Sequence, residues 1–443
     1  MDRKIKQGIM LAGVFLLSGN LHATDFSENF NDSTLRIDYI LAGGPNGAQI
    51  YIDSSSKQAG WAGRKSHLKE VPIAGNGSIM VLDPVTGDTL YKNPFSTLFQ
   101  EWILTPQAAE VSHSFENSFL VPLPKREADI ILELRDNRHM PIATNRYRYR
   151  QNDELVGIRG KNALPHTYLY EGGGEEVIDI AFVAEGYRAE EMDTFINRAR
   201  RITEEILSYE PFASNKEKFR FVAVETPSEE SGVSVPLKND WRKTAFDSHY
   251  STFYSARYLT VPRVKKLHQS IEGIPYEHIF VIVNTPEYGG GGIFNSYQVA
   301  AADHPYTPIV AVHEFGHSFA GLADEYFYAG EEDDTYLDGI EPWEPNITTL
   351  ADFDSKWADK VEASTPVPTP WNKEVISREK NMEKAKTEIP VDLTIGVYEG
   401  AGYRSSGVYR PFVTCRMRDN EYPAFCEVCQ EAIQTVIDFY TSK

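Results

Sequence analysis

Thr307-Pro-Ile-Val-Ala-Val-His313-Glu314-Phe-Gly-His317-Ser-Phe-Ala-Gly321-Leu-Ala-Asp324-Glu325-Tyr326 is the stretch on which the reading of this chain turns. Thr307 suits a helix N-cap and Pro308 the first helical position, so a helix is expected to start there. Gly321 suits the left-handed residue that ends it. Within the helix, His313 and His317 are one turn apart and share a face. Two imidazoles so placed can both reach one Zn²⁺ at ~2.0–2.1 Å. Glu314 can lean over a water held by that ion and take its proton, which gives the spacing a hydrolytic logic. The bland alternative is a polar helix face with two solvated histidines.

A third ligand is needed to leave one open position for water. Metzincin peptidases place theirs three residues after a glycine. The same distance from Gly321 gives Asp324, although one extra residue separates His317 from that glycine. Glu325 is the competitor, and if the chain runs extended there the two side chains point to opposite sides.

Upstream, Val177–Ala184, Phe219–Glu225 and His278–Val283 are apolar runs expected as buried strands. Between the first two, Met192, Phe195, Ile196, Ala199, Ile202, Ile206 and Leu207 recur at helical spacing. Strand alternating with helix points to an α/β domain over residues 175–443. Before it, residues 24–165 have a β texture, with Leu35–Ile40, Ala48–Ile52, Ser78–Leu82, Ser114–Leu123 and Ala128–Arg135 as expected strands. Turn residues separate them, Gly43-Gly44-Pro45-Asn46-Gly47 most clearly, and a sandwich is expected. A boundary is expected near Pro165 to Gly174, where Gly172-Gly173-Gly174 reads as a linker. The fold class is therefore an N-terminal all-β sandwich followed by an α/β domain. Residues 1–23 read as an export signal: Arg3, Lys4 and Lys6, then the apolar Gly8–Leu17, then Leu21-His22-Ala23 as a cleavage site. The mature chain is expected in the periplasm, on the cell surface or secreted, with no integral membrane segment.

The sequence has 443 residues and a formal net charge of −20, which argues against nucleic acid or an anionic membrane as the main partner. Its three cysteines, Cys415, Cys426 and Cys429, are too few for a disulfide scaffold. One disulfide from Cys415 to Cys426 or Cys429, with one thiol free, is the reading in an exported chain; three buried thiols are the alternative. A helix is expected from near Pro423. Glu331–Asp334 with Asp338 lacks the spacing of a calcium loop and reads as a solvated loop.

The run His313–Tyr326 resembles the signature of the M64 family of bacterial metallopeptidases, the IgA peptidase family. Leu35–Tyr39, Trp61-Ala-Gly63, Pro342–Thr348, Tyr398–Tyr403 and Tyr409-Arg-Pro411 agree with it across nearly the whole mature chain. The resemblance implies a metzincin-like zinc endopeptidase domain behind an N-terminal β domain, with Met417 of Cys415-Arg416-Met417-Arg418 as the Met-turn beneath the metal. From residue chemistry alone Met417 is an ordinary core methionine. In such a fold Gly289–Gly292 would be a rim preceding an edge strand at Ser296–Ala301 that pairs with substrate. The expected activity is zinc-dependent hydrolysis of extracellular polypeptides, with immunoglobulin or other host glycoproteins as examples. His313, His317 and Asp324 would hold Zn²⁺ and Glu314 would act as base, while Tyr326, Arg410, Arg416 or Tyr422 would stabilise the oxyanion. A catalytically silent glycan- or protein-binding module on the same fold is the alternative, and a hydrolase of other amides, such as peptidoglycan cross-links, would share the site.

Overall fold

Alternating apolar residues at Leu35, Ile37, Tyr39 and Leu41 build the long first strand of the protein, β1 (Phe30–Gly44), after a one-turn helix α1 (Phe26–Asn29). The computed structural model describes residues 26–160, 164–174, 176–327, 335–371 and 394–442; the segment 1–23 and the acidic stretch 331–334 lie outside the described residues. A tight turn at Pro45-Asn46 returns the chain antiparallel into β2 (Gly47–Ala59), with Gly44 opposite Gly47. There follow β3 (Gly77–Leu82), β4 (Thr89–Phe95), α2 (Leu98–Trp102), β5 (His113–Pro124), β6 (Ala128–Arg135), β7 (Pro141–Tyr149) and β8 (Gly157–Ile158). They form two four-stranded sheets, ordered β5-β1-β2-β8 and β4-β3-β6-β7. The inward residues of β1 meet Ile79 and Val81 of β3 and Ile130, Leu132 and Leu134 of β6 in one core. Strands β4 and β7, absent from the sequence reading, carry polar or proline-interrupted patterns and form the two edges of the second sheet.

The second half is a mixed α/β domain. Its strands are β9 (His166–Glu171), β10 (Ile178–Glu185), β11 (Phe219–Val224), β12 (His278–Val283), β13 (Gly290–Ile293) and β14 (Tyr297–Ala301), in the order β13-β14-β12-β10-β11-β9. The inner four are parallel, and β13 and β9 are antiparallel edges. Helices α3 (Met192–Ile206), α5 (Thr307–Ala320) and α6 (Glu427–Thr441) cover one face; α4 (Val264–Ser270) lies on the other. Strand β10 reads as a continuous apolar run because both its faces are buried, Ile180 and Phe182 under the three helices and Ala181 and Val183 opposite. A hairpin of β15 (Tyr398–Ala401) and β16 (Arg404–Arg410) stands apart from the sheet.

β9, within the boundary expected near Pro165–Gly174, pairs with β11 as a strand of this sheet, and its half-polar alternation reflects an edge position. One expectation needs correction here. The glycine run is itself the edge strand, and Ser296–Ala301 contributes β14, one place further in.

The two halves are joined by polar contacts. The Arg36 guanidinium, paired with Asp38 at 2.7 Å, also donates to the Lys265 carbonyl of α4 at 2.7 Å. Phe294 accepts from the Ser96 amide, and Asn295 donates to the Pro94 carbonyl. Ser66 donates to Ser442 beyond α6, and the Arg64 guanidinium lies over the Phe439 ring. No helix among the described residues is long and apolar enough to cross a membrane.

Candidate metal centre

Helix α5 begins at Thr307 itself. The residue expected as a cap is in the first turn, where its hydroxyl donates to the Ala301 carbonyl at the end of β14 and ties the helix to the sheet. The helix ends as expected at Gly321, φ 58°, whose amide donates to His317 O while the Leu322 amide donates to Gly316 O. This turn returns the chain past its own last coil. The next residues are then fixed from three sides. Buried Asn346 brackets Ala323 through both its amide groups, the Glu325 amide donates to Met417 O, and the Gly402 amide donates to Asp324 O.

The result is convergence of three side chains. His313 Nε2 lies 3.0 Å from Asp324 Oδ1 and 3.0 Å from His317 Nε2, and His317 Nε2 lies 3.3 Å from the same carboxylate oxygen. The other ring nitrogens decide what these distances mean. His313 Nδ1 faces the Arg416 carbonyl at 3.0 Å, and His317 Nδ1 faces the Leu322 carbonyl at 2.5 Å. A carbonyl only accepts, so each Nδ1 carries the hydrogen and each neutral imidazole presents a lone pair at Nε2. Two lone pairs and a carboxylate oxygen then point at one spot, an arrangement that repels itself unless a proton or a metal cation stands between them. Ligands ~2.0–2.1 Å from a tetrahedral ion are spaced by about these distances. The donor set fits Zn²⁺, with carbonyls orienting both histidines from behind.

The local electrostatics agree. Burial works against charge on His317, but the Asp324 carboxylate outweighs it and lifts the imidazole to about 9. Burial likewise pushes Asp324 up, and the neighbouring histidines override it, holding the carboxyl well below the usual carboxylate range. The site attracts positive charge. Burial raises the Glu314 carboxyl above its ordinary range, against the pull of His313 and His317, which moves it toward the range useful to a general base.

Met417 is fully buried directly under the helix. A Cβ added at Gly316 would come within 2.8 Å of its sulfur, so the glycine in the middle of the motif makes room for the methionine. The glycines of β13 answer the other side of α5. A Cβ at Gly292 would lie 2.4 Å from Glu314 O and 2.9 Å from His317 Cβ, and one at Gly290 would lie 3.1 Å from Glu314 Oε1. The edge strand therefore passes against the two motif residues with no space for side chains. Its outer rim is partly taken at Gly290, which forms a β-bridge with Tyr258.

The residues proposed for the oxyanion are elsewhere. Arg410 is buried, donates to the Gly400 and Val413 carbonyls and stacks on Trp371. Arg416 is bonded to Asn420 O and the Tyr209 hydroxyl. Tyr422 lies in a turn closed by its amide on Asp419 O, and Tyr326 packs edge-on against Tyr403. It is Tyr403 that reaches the centre, donating its hydroxyl to Asp324 Oδ2. Sequence reasoning missed it because 79 residues separate it from Asp324 and leave no local signal. Burial and the Asp324 charge push its phenol well above the ordinary value, so it stays a donor.

The centre opens on a cleft of ≈ 830 Å³ between the two halves of the chain. Gly292, Phe294, His317, Asp324 and Tyr403 line one wall, while Gln100, Glu101, Arg135 and Asn137 of the β domain line the other. The cysteines correct a further expectation. All three are free and buried, with Cys415 Sγ 3.7 Å from Cys429 Sγ, and they gather around Glu325. The carboxylate neighbouring Asp324 thus faces away from the histidines.

Comparison with known protein families matches residues 169–437 to the IgA Peptidase M64 family and residues 25–145 to the Peptidase M64 N-terminus. No curated protein sequence matches the chain. The first match alone covers more than half of the 443 residues, and it includes the helix, both histidines, Asp324, Tyr403 and Met417. The chain belongs to the M64, or IgA peptidase, family of metallopeptidases.

Proposed function

We propose that the protein is an exported zinc endopeptidase in which His313, His317 and Asp324 hold the catalytic ion and Glu314 is the general base. The observation that carries this reading is the meeting of three lone-pair donors, with Glu314 beside them, at the floor of an open cleft. When bound, Zn²⁺ would supply a Lewis acid that makes water acidic enough to be deprotonated near neutral pH. Glu314 takes that proton and returns it to the departing amine. In the reaction Tyr403 turns its hydroxyl from Asp324 Oδ2 toward the charge that develops on the scissile carbonyl, and Met417 with the Arg416 carbonyl keeps His313 in place. The cleft, with one wall from the β domain, suits a polypeptide substrate, and extracellular proteins, host glycoproteins such as immunoglobulins included, are the substrates we assign. The basic and apolar residues before Thr24 are the support for export.

The test is Glu314→Gln in the purified protein, assayed on a denatured protein mixture and checked for bound zinc. Zinc is expected to stay while turnover falls at least ~10²-fold. Wild-type turnover by the variant would refute the assignment. Asp324→Ala is expected to release the ion from the histidines at modest chelator concentration, and retention would move the third ligand elsewhere.

A further inference from the structure

The chain after Gly321 serves two places at once. Asp324 turns to the histidines, and Glu325, the next residue, turns to the three cysteines. Among the described residues, Glu325, Cys415, Cys426 and Cys429 offer one carboxylate oxygen and three sulfurs that all lie within 4.8 Å of one another. All four residues are buried. We propose that these four side chains form a second, closed metal site that takes a structural Zn²⁺.

The distances suit a coordination shell better than any alternative pairing. Zinc–sulfur bonds of ~2.3 Å put tetrahedral sulfurs about 3.8 Å apart. Cys415 and Cys429 stand at 3.7 Å, and Cys429 Sγ is 3.2 Å from Glu325 Oε1. A disulfide would need two sulfurs at ~2.05 Å, would leave the third thiol over, and would do nothing for the carboxylate. That carboxylate needs an answer. Asn346 donates to Oε1, whereas Oε2 has no hydrogen-bond partner among the described residues, although Glu325 is fully buried. A cation at the centre of the four offsets the charge of this buried carboxylate.

The surroundings favour thiolates. Cys426 is the N-cap of α6 and Cys429 lies in its first turn, so two sulfurs sit at the positive end of a fifteen-residue helix. The Cys426 amide donates to Cys415 Sγ at 3.1 Å, the N–H to sulfur contact expected of a charged ligand. Three thiolates and one carboxylate in a closed tetrahedron select zinc among common biological ions, and no open position remains for water. The site would therefore be structural. It clamps three elements of the first centre: the segment bearing Asp324, the turn whose Arg416 carbonyl orients His313, and α6.

The experiment is metal analysis of the full-length protein purified without chelator, with Zn²⁺ as the probe. Wild type is expected to hold about two zinc ions per chain. The His313→Ala/His317→Ala double variant should keep one, and with Co²⁺ in its place should show thiolate-to-metal charge-transfer absorption in the near ultraviolet. Glu325→Ala should keep the histidine-held ion and lose the second at lower chelator concentration than wild type. The histidine double variant keeps the test valid if cysteine variants do not fold, and it separates this site from the catalytic reading. A double variant that binds no zinc, shows no thiolate band with cobalt, or has a mass lowered by two hydrogens from an internal disulfide would overturn the proposal.

Discussion

Tyr403 is the residue whose chemistry depends most on its surroundings. Its hydroxyl lies on Asp324 Oδ2, its ring meets Tyr326 edge-on at 5.3 Å, and its amide donates to Tyr326 O. Removing only the oxygen tests its role without disturbing the packing. Tyr403→Phe is expected to lower kcat by about 10²-fold, as loss of an oxyanion donor does, with KM little changed and zinc retained. Steady-state kinetics with parallel metal analysis check this; a rise in KM alone would assign Tyr403 to substrate binding. The pair Asp324 and Glu325 shows how much one residue of register decides. Alternation of side chains along an extended segment sends one carboxylate to the histidines and its neighbour to the cysteines.

At the level of elements, α5 and the strand beside it were unequally legible. The helix announces itself by spacing: Pro308, the paired histidines and Gly321 are all local signals. Strand β13 has no such signal, because glycine has low strand propensity and its use here comes from a contact made only in three dimensions. Gly292→Ala measures that contact. The new methyl would lie 2.4 Å from Glu314 O, so the strand or the helix must shift. A destabilisation of about 1–3 kcal/mol is expected, with loss of activity. Gly173→Ala, where nothing lies within 4 Å, should change neither thermal melting nor turnover. The cysteines were misread for a related reason. Cys429 meets Glu325 across 104 residues, and a sequence holds no record of such a meeting. The buried strands β10, β11 and β12 were readable because their apolar runs report burial directly; the edges β4, β7 and β9 were not, since half their surface faces water.

Across the whole molecule, the helical layer rests on His278 of β12, a buried histidine among Phe315, Phe319 and Tyr440 with no partner at Nε2 among the described residues. Burial lowers its pKa from the ordinary 6.5 to about 3. Between those values the unfolded chain binds a proton that the native state refuses, so stability rises with pH through this window and falls as pH drops below 6.5. At pH 5 the loss is about 2 kcal/mol. His278→Phe is expected to flatten the fall in melting temperature between pH 7.5 and pH 5; an unchanged slope would show that the histidine takes up its proton in the folded protein.

The Arg416 carbonyl that fixes His313 is reached 103 residues later in the chain. Synthesis runs in one direction, so a growing polypeptide that already displays both histidines still lacks the group that aligns one of them, the methionine beneath them and the helix that closes the layer. Those parts arrive with the last thirty or so positions. The histidine pair is therefore fully supported only once α6 has docked.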